Sequence, residues 1–351
     1  MGALKLGIIG CGVMGTRHLA TAVALDGVEP FAAADLIPER VEEARRQFGV
    51  ARTYSSGARL VRDPDVEAVV LAFPTAGRPR LALAAFRAGK HVLTEKPVAM
   101  NAGQVRRMIA ARGRLVGAVL SCRQRFTPHA LAAADFLASG ALGTLRLLRM
   151  RSVDAAGPQP EKLRPSWRLR TAENGGGILM NWGCYDLDYL LGLTGWALKP
   201  RTVLAQTWPI PPQLASHVAP DSDAETHYAA LIRFDGGAAM TLERGEYMPA
   251  QADHAWQIVG TRGSLSLRLL PGKNKQVVFD ETTTAHGVTP RVIWQGDEEW
   301  GTAANAPMAD FVEAVRTGRT PRTPLERALI VQQITDAIYR SAAKGKAVRI
   351  E

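Results

Sequence analysis

The chain has 351 residues, more than one ordinary hydrophobic core holds, so we expect two domains. Hydrophobic residues make up 46% and charged residues 22% of the sequence, and no apolar run has the length needed to cross a bilayer. The formal net charge is +10, but lysines and arginines stand singly or in pairs, usually beside acidic residues. These properties predict a globular protein and argue against nucleic-acid and membrane partners.

The beginning and the cysteines of the chain give two further expectations. A strand-like segment at residues 4–9 follows the first residues directly, without the basic, apolar and small-residue regions of a secretory signal, so we expect a cytoplasmic protein. Cys11, Cys122 and Cys184 lie far apart and form no CxxC pair. We therefore predict neither disulfides nor a metal site.

Residues 1–121 alternate short apolar runs with helical patterns. This alternation is typical of βαβ units around a doubly wound parallel sheet, whose strands are buried on both faces. We predict strands at residues 4–9, 29–34, 68–72, 91–94 and 115–120, and helices at 14–25, 38–48, 79–88 and 104–111. The first predicted domain is therefore of the α/β class.

Residues 122–351 differ in pattern and predict a second domain of the α+β class. A predicted helix at 128–139 precedes strands at 145–153, 202–208, 227–234, 238–245, 255–260 and 263–269, while the proline-rich residues 209–220 predict a loop. Asp235-Gly236-Gly237 and Thr261-Arg262-Gly263 indicate hairpin turns. We therefore expect a large, mostly antiparallel sheet with one open face.

Six residues, Gly10-Cys11-Gly12-Val13-Met14-Gly15, follow the first predicted strand and begin the first predicted helix. In this context GxGxxG indicates a Rossmann turn that binds a dinucleotide. Gly10 would permit the tight turn, Gly12 would let the backbone approach the pyrophosphate, and Gly15 would let helix and strand pack closely. The helix N-terminus would bind the phosphates. The alternative is a glycine turn with a structural role alone.

Asp35 stands twenty positions after Gly15, at the end of the second predicted strand. Its carboxylate could accept hydrogen bonds from the adenosine ribose hydroxyls and would repel a 2′-phosphate. We therefore expect NAD as the cofactor. Arg40, about one turn into the next helix, keeps NADP open as the alternative, because its guanidinium could reach a 2′-phosphate.

The sequence Glu95-Lys96-Pro97 completes a set of motifs by which the chain resembles the Gfo/Idh/MocA oxidoreductases, the family of glucose–fructose oxidoreductase and inositol dehydrogenase. The resemblance runs nearly from end to end, and its order and spacing make it specific. Besides residues 10–15, it rests on the stretches 72–75, 88–92, 95–97, 125–126, 166–168, 175–177, 260–264 and 341–348.

The resemblance implies a set of cofactor-binding residues around the nicotinamide. Lys96 would lie at the mouth of this site, and Pro97 would set the turn in an unusual peptide geometry. The glycine turn, Asp35 and Arg40 would form one part of the cofactor site. The resemblance adds eight further residues: Phe73, Pro74, Thr75, Glu95, Lys96, Gln124, Trp167 and Arg168.

The family's catalytic pair differs in this chain. Behind the three glycines at 175–177, the family has an aspartate and, four residues later, a histidine; here these positions are Asn181 and Tyr185. Spacing by four places both side chains on one helix face. A phenol with its ordinary pKa of about 10 is a weak base, but the Lys96 ammonium would lower the pKa of Tyr185, and the neutral Asn181 would not oppose this effect. The alternative is an ordinary helix tyrosine in a site that has lost its chemistry.

Four remaining polar positions receive ordinary interpretations. Arg78 stands where the family often has histidine, and we interpret it as a solvated loop residue, with binding of an acidic substrate as the alternative. His227, Glu243 and Tyr247 fall on or beside predicted strands and could face a substrate, although packing usually explains such residues.

These residues predict reversible NAD-dependent oxidation of a secondary hydroxyl on a sugar, cyclitol or sugar derivative. Lys96 and Tyr185 would handle the proton, and Asn181 would orient the substrate. Two alternatives remain: a redox-neutral glycosidase that forms a transient keto-sugar, and a cofactor-binding regulator without turnover. The resemblance also implies a homodimer or homotetramer that packs through the open sheet.

Overall fold

The computed structural model describes residues 2–351, apart from the side chain of Thr302, and the chain divides into two compact units. The first unit contains the residues up to Arg123 together with Ala304–Leu329. The second contains Gln124–Ala303 and Ile330–Glu351. Among the described residues, no helix combines the length and the hydropathy that crossing a bilayer requires.

A parallel sheet forms the centre of the first unit, with its strands in the order β3-β2-β1-β4-β5-β6. The predicted doubly wound parallel sheet is thus confirmed, and only the short β3 was not predicted. The strands are β1 (Leu4–Ile9), β2 (Val28–Ala34), β3 (Arg52–Tyr54), β4 (Ala68–Leu71), β5 (His91–Thr94) and β6 (Gly117–Val119).

Five helices connect these strands: α1 (Val13–Ala24), α2 (Pro38–Phe48), α3 (Gly57–Val61), α4 (Arg78–Arg87) and α5 (Ala102–Arg112). Local sequence explains the ends of α2. Pro38 occupies the first helical position, where a missing amide hydrogen costs nothing. Gly49 ends the helix at φ 68°, a conformation that favours glycine.

The segment Ala304–Leu329 departs from the sequence division at residue 121, which assigned the whole remainder of the chain to the second domain. Met308 and Phe311 belong to the same apolar cluster as Leu6 and Ile8 of β1. Leu325 and Ala328 join the cluster on the other side of the parallel sheet. This burial explains why the segment folds with the first unit, while the boundary at 121 stays a prediction.

The second unit contains a nine-stranded sheet in the order β14-β13-β12-β11-β7-β10-β9-β8-β15. Within residues 2–351, β10 pairs parallel with β7 and the other pairings of this sheet are antiparallel, which confirms the predicted sheet. The strands are β7 (Leu145–Ala155), β8 (Pro200–Trp208), β9 (His227–Phe234), β10 (Ala239–Met248), β11 (Asp253–Gly260), β12 (Gly263–Leu267), β13 (Lys275–Thr283), β14 (Gly287–Gly296) and β15 (Val348–Arg349).

One face of this sheet is covered and the other is open. Along β9, buried and accessible side chains alternate, and Tyr228 and Ile232 enter the same core as Leu187 and Leu190. The other α-helices among the described residues are α6 (Pro128–Ala138), α7 (Thr171–Asn174), α8 (Cys184–Leu193), α9 (Trp300–Thr317) and α10 (Leu325–Lys344). The expected turn at 235–237 joins antiparallel β9 and β10, with Gly236 at φ 75°.

Candidate functional site

The glycine turn between β1 and α1 has the geometry that its sequence predicts. A Cβ on Gly10 would lie 2.5 Å from the Ala72 carbonyl oxygen, and one on Gly15 would lie 1.7 Å from the Gly10 oxygen. Only glycine fits at these two positions. A Cβ on Gly12 would instead make only an ordinary van der Waals contact, with Nη1 of Arg40 at 3.9 Å. The backbone at Gly12 is therefore accessible to a pyrophosphate beside the N-terminus of α1.

Asp35 lies directly after β2 and beside this turn. Its carboxylate accepts hydrogen bonds from the Cys11 amide at 2.7 Å and the Ile37 amide at 2.9 Å. Nη1 of Arg40 is 3.9 Å from the same carboxylate. An acidic group held here fits the ribose hydroxyls of NAD, whereas Arg40 is the nearby cation that a 2′-phosphate would need.

Cys11 contributes its backbone rather than its thiol to this turn. Sγ is buried and lies 3.6 Å from the Ala34 carbonyl oxygen, to which it donates. Burial and then the Asp35 carboxylate raise the pKa of Cys11 to about 11. The thiol is therefore protonated at neutral pH and is a poor nucleophile.

Lys96 follows β5, at the carboxyl edge of the same sheet, and the Lys96–Pro97 peptide bond is cis, which confirms the unusual geometry implied for Pro97. The preceding Glu95 is buried and accepts hydrogen bonds from Nε2 of His18 at 2.9 Å and from the Lys96 amide at 3.1 Å. Nη2 of Arg123 is 3.7 Å away. Burial alone would raise the pKa of Glu95, but His18 and Arg123 outweigh it and hold this pKa well below its usual range.

Arg78 is not the solvated loop residue that we predicted. Its side chain is only 2% exposed and donates to Oγ1 of Thr75 at 2.8 Å and to the Glu95 carbonyl oxygen. Arg78 therefore braces two segments that follow neighbouring strands, β4 and β5. The implied cofactor residues Phe73 and Pro74 lie beside Thr75 in the first of these segments.

In the second unit, a buried carboxylate holds the start of the glycine-rich helix. Glu225 accepts hydrogen bonds from the amides of Gly177 at 2.9 Å and Leu179 at 3.0 Å, and from the Tyr339 hydroxyl at 2.9 Å. Burial raises the pKa of Glu225, although these donors oppose the effect. A Cβ on Gly177 would lie 1.8 Å from the Glu225 carbonyl oxygen, so the close approach requires glycine.

Asn181 and Tyr185 follow this start, and the helix between them is not regular. Residues Leu179–Gly183 form a π-helical turn, and α8 continues from Cys184. Such turns often occur at functional sites. Asn181 and Tyr185 are both buried, and the Tyr185 ring packs against Trp182 with 5.5 Å between ring centroids.

Two ion pairs that the sequence did not reveal anchor α8. Asp186, next to Tyr185, accepts hydrogen bonds from Nε and Nη2 of Arg244 on β10, at 2.7 and 2.9 Å. It also accepts a hydrogen bond from Nε1 of Trp256 at 3.2 Å. Asp188 binds Nε of Arg125 at 2.6 Å. Acidic residues within the apolar helix sequence were the available signal. The two ion pairs fix the backbone that carries Tyr185.

The other implied cofactor residues of the second unit have varied surroundings. Nη2 of Arg168 is 3.5 Å from the buried Glu246 carboxylate, and Trp167 lies in the same 3₁₀ turn, Ser166–Leu169. Oε1 of Gln124 is buried and accepts no hydrogen bond from the described residues. An acceptor left in this way fits a residue that binds a ligand donor.

His227 and Glu243 have a structural explanation. Nε2 of His227 lies 3.3 Å from the Glu243 carboxylate, and the His227 ring stacks on Trp208 with 4.5 Å between ring centroids. Tyr247, two residues after Gly245, adopts φ 59°.

Lys96 belongs to the first unit and Asn181 and Tyr185 to the second, so the joint action of these three residues stays a prediction.

Comparison with known proteins identifies both units. Residues 4–117 match the family described as "Oxidoreductase family, NAD-binding Rossmann fold", and residues 135–350 match "Oxidoreductase family, C-terminal alpha/beta domain". A dTDP-3,4-didehydro-2,6-dideoxy-alpha-D-glucose 3-reductase from Streptomyces violaceoruber is 30% identical over 336 residues, which cover 90% of this chain and 86% of the relative.

Two further relatives match almost their entire length. The myo-inositol 2-dehydrogenase of Thermotoga maritima is 23% identical over 349 residues, 99% of each chain. The solved structure of a levoglucosan dehydrogenase in complex with NADH and levoglucosan has a TM-score of 0.85 and 25% identity, and covers 99% of each chain. The chain therefore belongs to the Gfo/Idh/MocA oxidoreductases, and its first unit is an NAD-binding Rossmann domain.

Proposed function

We propose that the protein is an NAD-dependent dehydrogenase that oxidises a secondary hydroxyl of a sugar, cyclitol or sugar derivative. The observation that carries this proposal is the position of Lys96. It lies beyond the end of β5, next to the braced Glu95, at the carboxyl edge of the parallel sheet. The glycine turn and Asp35 lie at the same edge. Ligands of parallel α/β sheets bind at this edge. Relatives named as inositol and levoglucosan dehydrogenases support the substrate class.

The chemistry divides between a bound nicotinamide and the residues of this chain. NAD⁺ supplies the carbon that accepts the hydride. The Lys96 ammonium stabilises the phenolate form of Tyr185, and this phenolate takes the proton of the substrate hydroxyl and becomes a neutral phenol. The neutral amide of Asn181 donates and accepts hydrogen bonds to a neighbouring hydroxyl, which orients the ring.

The burial of the second-unit residues supports this assignment. Asn181 and Tyr185 are both at least nine-tenths buried, in surroundings where electrostatic effects on a proton transfer exceed those in water. Asp186 and Asp188 hold α8 to its neighbours through buried arginines. The Tyr185 hydroxyl is therefore carried on a fixed backbone, as a catalytic base requires.

A substrate screen tests the proposal. The purified protein is incubated with NAD⁺ or NADP⁺ and a panel of myo-inositol, scyllo-inositol, levoglucosan and common aldoses, and reduced nicotinamide is followed by absorbance. We expect reduction of NAD⁺ with at least one compound. If no compound is oxidised and no ketone analogue is reduced, the dehydrogenase proposal fails, and release of an aglycone without net NADH would identify a glycosidase instead.

Two substitutions assign the proton transfer. Tyr185→Phe and Lys96→Ala should each lower kcat about 10²- to 10⁴-fold, because they remove the base or the charge that stabilises it. Tyr189→Phe is the matched control, since Tyr189 lies one turn later on α8 and its hydroxyl binds Nε2 of His129 at 2.9 Å. This control should retain the rate. Full activity of Tyr185→Phe would contradict the assignment of the base.

We also propose that the protein is cytoplasmic and, from the family resemblance, that it forms a homodimer or homotetramer through the open face of the nine-stranded sheet. Leu204, Trp208 and Leu231 lie on that face on adjacent strands and are between 40% and 49% exposed. Exposed apolar side chains clustered in this way are typical of an interface. The molar mass in solution distinguishes these states from a monomer.

A further inference from the structure

The two oxygens of the Glu95 carboxylate contact different elements of the first unit. Oε2 accepts a hydrogen bond from the backbone amide of Lys96 at 3.1 Å. Oε1 lies 2.9 Å from Nε2 of His18 and 3.7 Å from Nη2 of Arg123. A single buried side chain therefore joins residues 95–97, which we call the lysine loop, to α1, the helix that begins at the glycine turn.

The chemistry of this contact fixes its direction. An ionised carboxylate can only accept hydrogen bonds, so Nε2 of His18 must carry a proton and donate a hydrogen bond to Glu95. His18 and Glu95 are both buried, at 4% and 6% exposure. Charge-assisted hydrogen bonds away from water are among the stronger ones, and removing the donor leaves a buried charge poorly satisfied.

We propose that His18 is a positioning residue that couples the cofactor-binding helix α1 to the placement of Lys96, and that it acts through the Glu95 carboxylate. A pyrophosphate bound at the N-terminus of α1 fixes this helix, and His18 transmits the position of the helix to the lysine loop. The inference rests on the proposed function, in which Lys96 acts on the substrate. His18 itself needs no contact with cofactor or substrate.

Three variants separate positioning from ordinary structural support. His18→Leu removes the donor and keeps an apolar side chain in the core. His18→Gln restores an N–H at a similar distance from the backbone. Thr21→Val is the matched control, because Thr21 lies on the next turn of α1 and its buried hydroxyl binds Oδ1 of Asn305 at 2.8 Å, away from Glu95.

Steady-state kinetics with NAD⁺ and the best substrate of the panel give the first readout. We expect His18→Leu to lower kcat about 10- to 100-fold, as a misplaced catalytic group does, and to change KM for NAD⁺ less than about threefold. His18→Gln should recover most of the rate, and Thr21→Val should retain it. In a Lys96→Ala background, His18→Leu should lower the rate no further, because the group that it positions is absent.

Chemical labelling of the protein without substrate gives a readout that does not depend on turnover. The acetylation rate of each lysine is measured by mass spectrometry at limiting acetic anhydride. His18→Leu should change the rate at Lys96 at least about threefold, with reversal in His18→Gln. Lys344, which is exposed at the end of α10, is the internal reference and should stay unchanged.

The outcomes distinguish this inference from the proposed function. Full activity of Lys96→Ala would defeat the proposed function, while the labelling would still report whether His18 controls the lysine. If Lys96→Ala loses activity but His18→Leu does not, the inference about His18 is wrong. It is also wrong if His18→Leu, His18→Gln and Thr21→Val are equally impaired. It is wrong as well if the losses of rate from His18→Leu and Lys96→Ala multiply in the double variant.

Discussion

The two units hold their proposed catalytic residues in different ways. In the first unit, Lys96 lies just beyond the end of β5, and the preceding Glu95 is braced by His18 of α1 and by the Lys96 amide. In the second unit, Tyr185 lies on a helix whose buried aspartates, Asp186 and Asp188, bind arginines far away in sequence. Both arrangements use contacts between distant parts of the chain. The first places the lysine at the end of a strand beside a braced carboxylate, whereas the second holds a whole helix through buried aspartate–arginine pairs.

The second arrangement separates the positions that depart from the family pattern from the positions that hold the helix. Asn181 and Tyr185 differ from the aspartate and histidine implied by the resemblance, yet the helix that carries them is fixed by groups other than these two. Glu225 holds its start and Arg244 holds its middle. Asn181 and Tyr185 can therefore be replaced while the backbone of this helix stays in place.

The largest expected effect comes from breaking the Asp186–Arg244 pair of the second unit. Asp186→Asn should lower the free energy of unfolding by about 3–5 kcal/mol, because it leaves the buried Arg244 charge without its counterion. Urea titration followed by circular dichroism measures the change. Replacing both residues, as Asp186→Leu with Arg244→Met, should recover part of the loss, since no buried charge then remains.

An exposed pair on the same sheet is the control for this prediction. Nη1 of Arg151 lies 2.8 Å from the Asp253 carboxylate, and both side chains are about half exposed. Asp253→Asn should therefore cost less than about 1 kcal/mol. Equal losses for Asp186→Asn and Asp253→Asn would show that burial of the α8 pair has no special importance for stability.

The sequence predicted the parts of the molecule whose determinants are close together along the chain. Gly10, Gly12 and Gly15 act within one turn, and Asp35 follows the next strand, so the spacing alone indicated their arrangement. Arg78 was misinterpreted because its partners, Thr75 and the Glu95 carbonyl oxygen, come together only when β4 and β5 pair. A local pattern does not contain that contact.

Two larger features were missed for a similar reason. The segment Ala304–Leu329 packs with the first unit through side chains such as Phe311, which any apolar core could have accepted. Strands β13 and β14 were absent from the prediction, and β14 is an exposed edge strand that contains Pro290 and shows little alternation. Edge strands lack the burial pattern by which strands are recognised.

The second prediction concerns the local motif of the first unit and has an intermediate expected effect. Asp35→Ser should lower the ratio of the dissociation constants for NADP⁺ and NAD⁺ about 10- to 100-fold, equivalent to about 1.4–2.7 kcal/mol, because the carboxylate no longer repels a 2′-phosphate. Fluorescence titration with each cofactor measures the ratio. Adding Arg40→Ala should remove part of the gain. An unchanged ratio would mean that Asp35 does not contact the adenosine ribose.

The smallest expected effect is a pH dependence in a second buried cluster of the second unit. Glu298 binds Nδ1 of His129 at 2.8 Å and Nζ of Lys275 at 2.9 Å. Burial alone would raise the pKa of Glu298, but its hydrogen bonds with His129 and Lys275 outweigh this and lower the pKa to about 2. Because the folded state holds the ionised form, the contribution to stability is complete above the usual glutamate pKa and is lost as the pH falls toward about 2.

The difference in unfolding free energy between the native protein and Glu298→Gln should therefore be largest near neutral pH. It should narrow by about 1 kcal/mol or more between pH about 4.5 and about 2, as the native carboxylate takes up its proton. Urea titrations at several pH values measure this difference. The exposed neighbour Glu299 provides the control, since Glu299→Gln should give a small difference that hardly changes with pH. If the difference in unfolding free energy between the native protein and Glu298→Gln stays constant with pH, the ionised, paired state of Glu298 is contradicted. The long-range pairing inferred for the second unit would then rest on the arginine pairs of α8 alone.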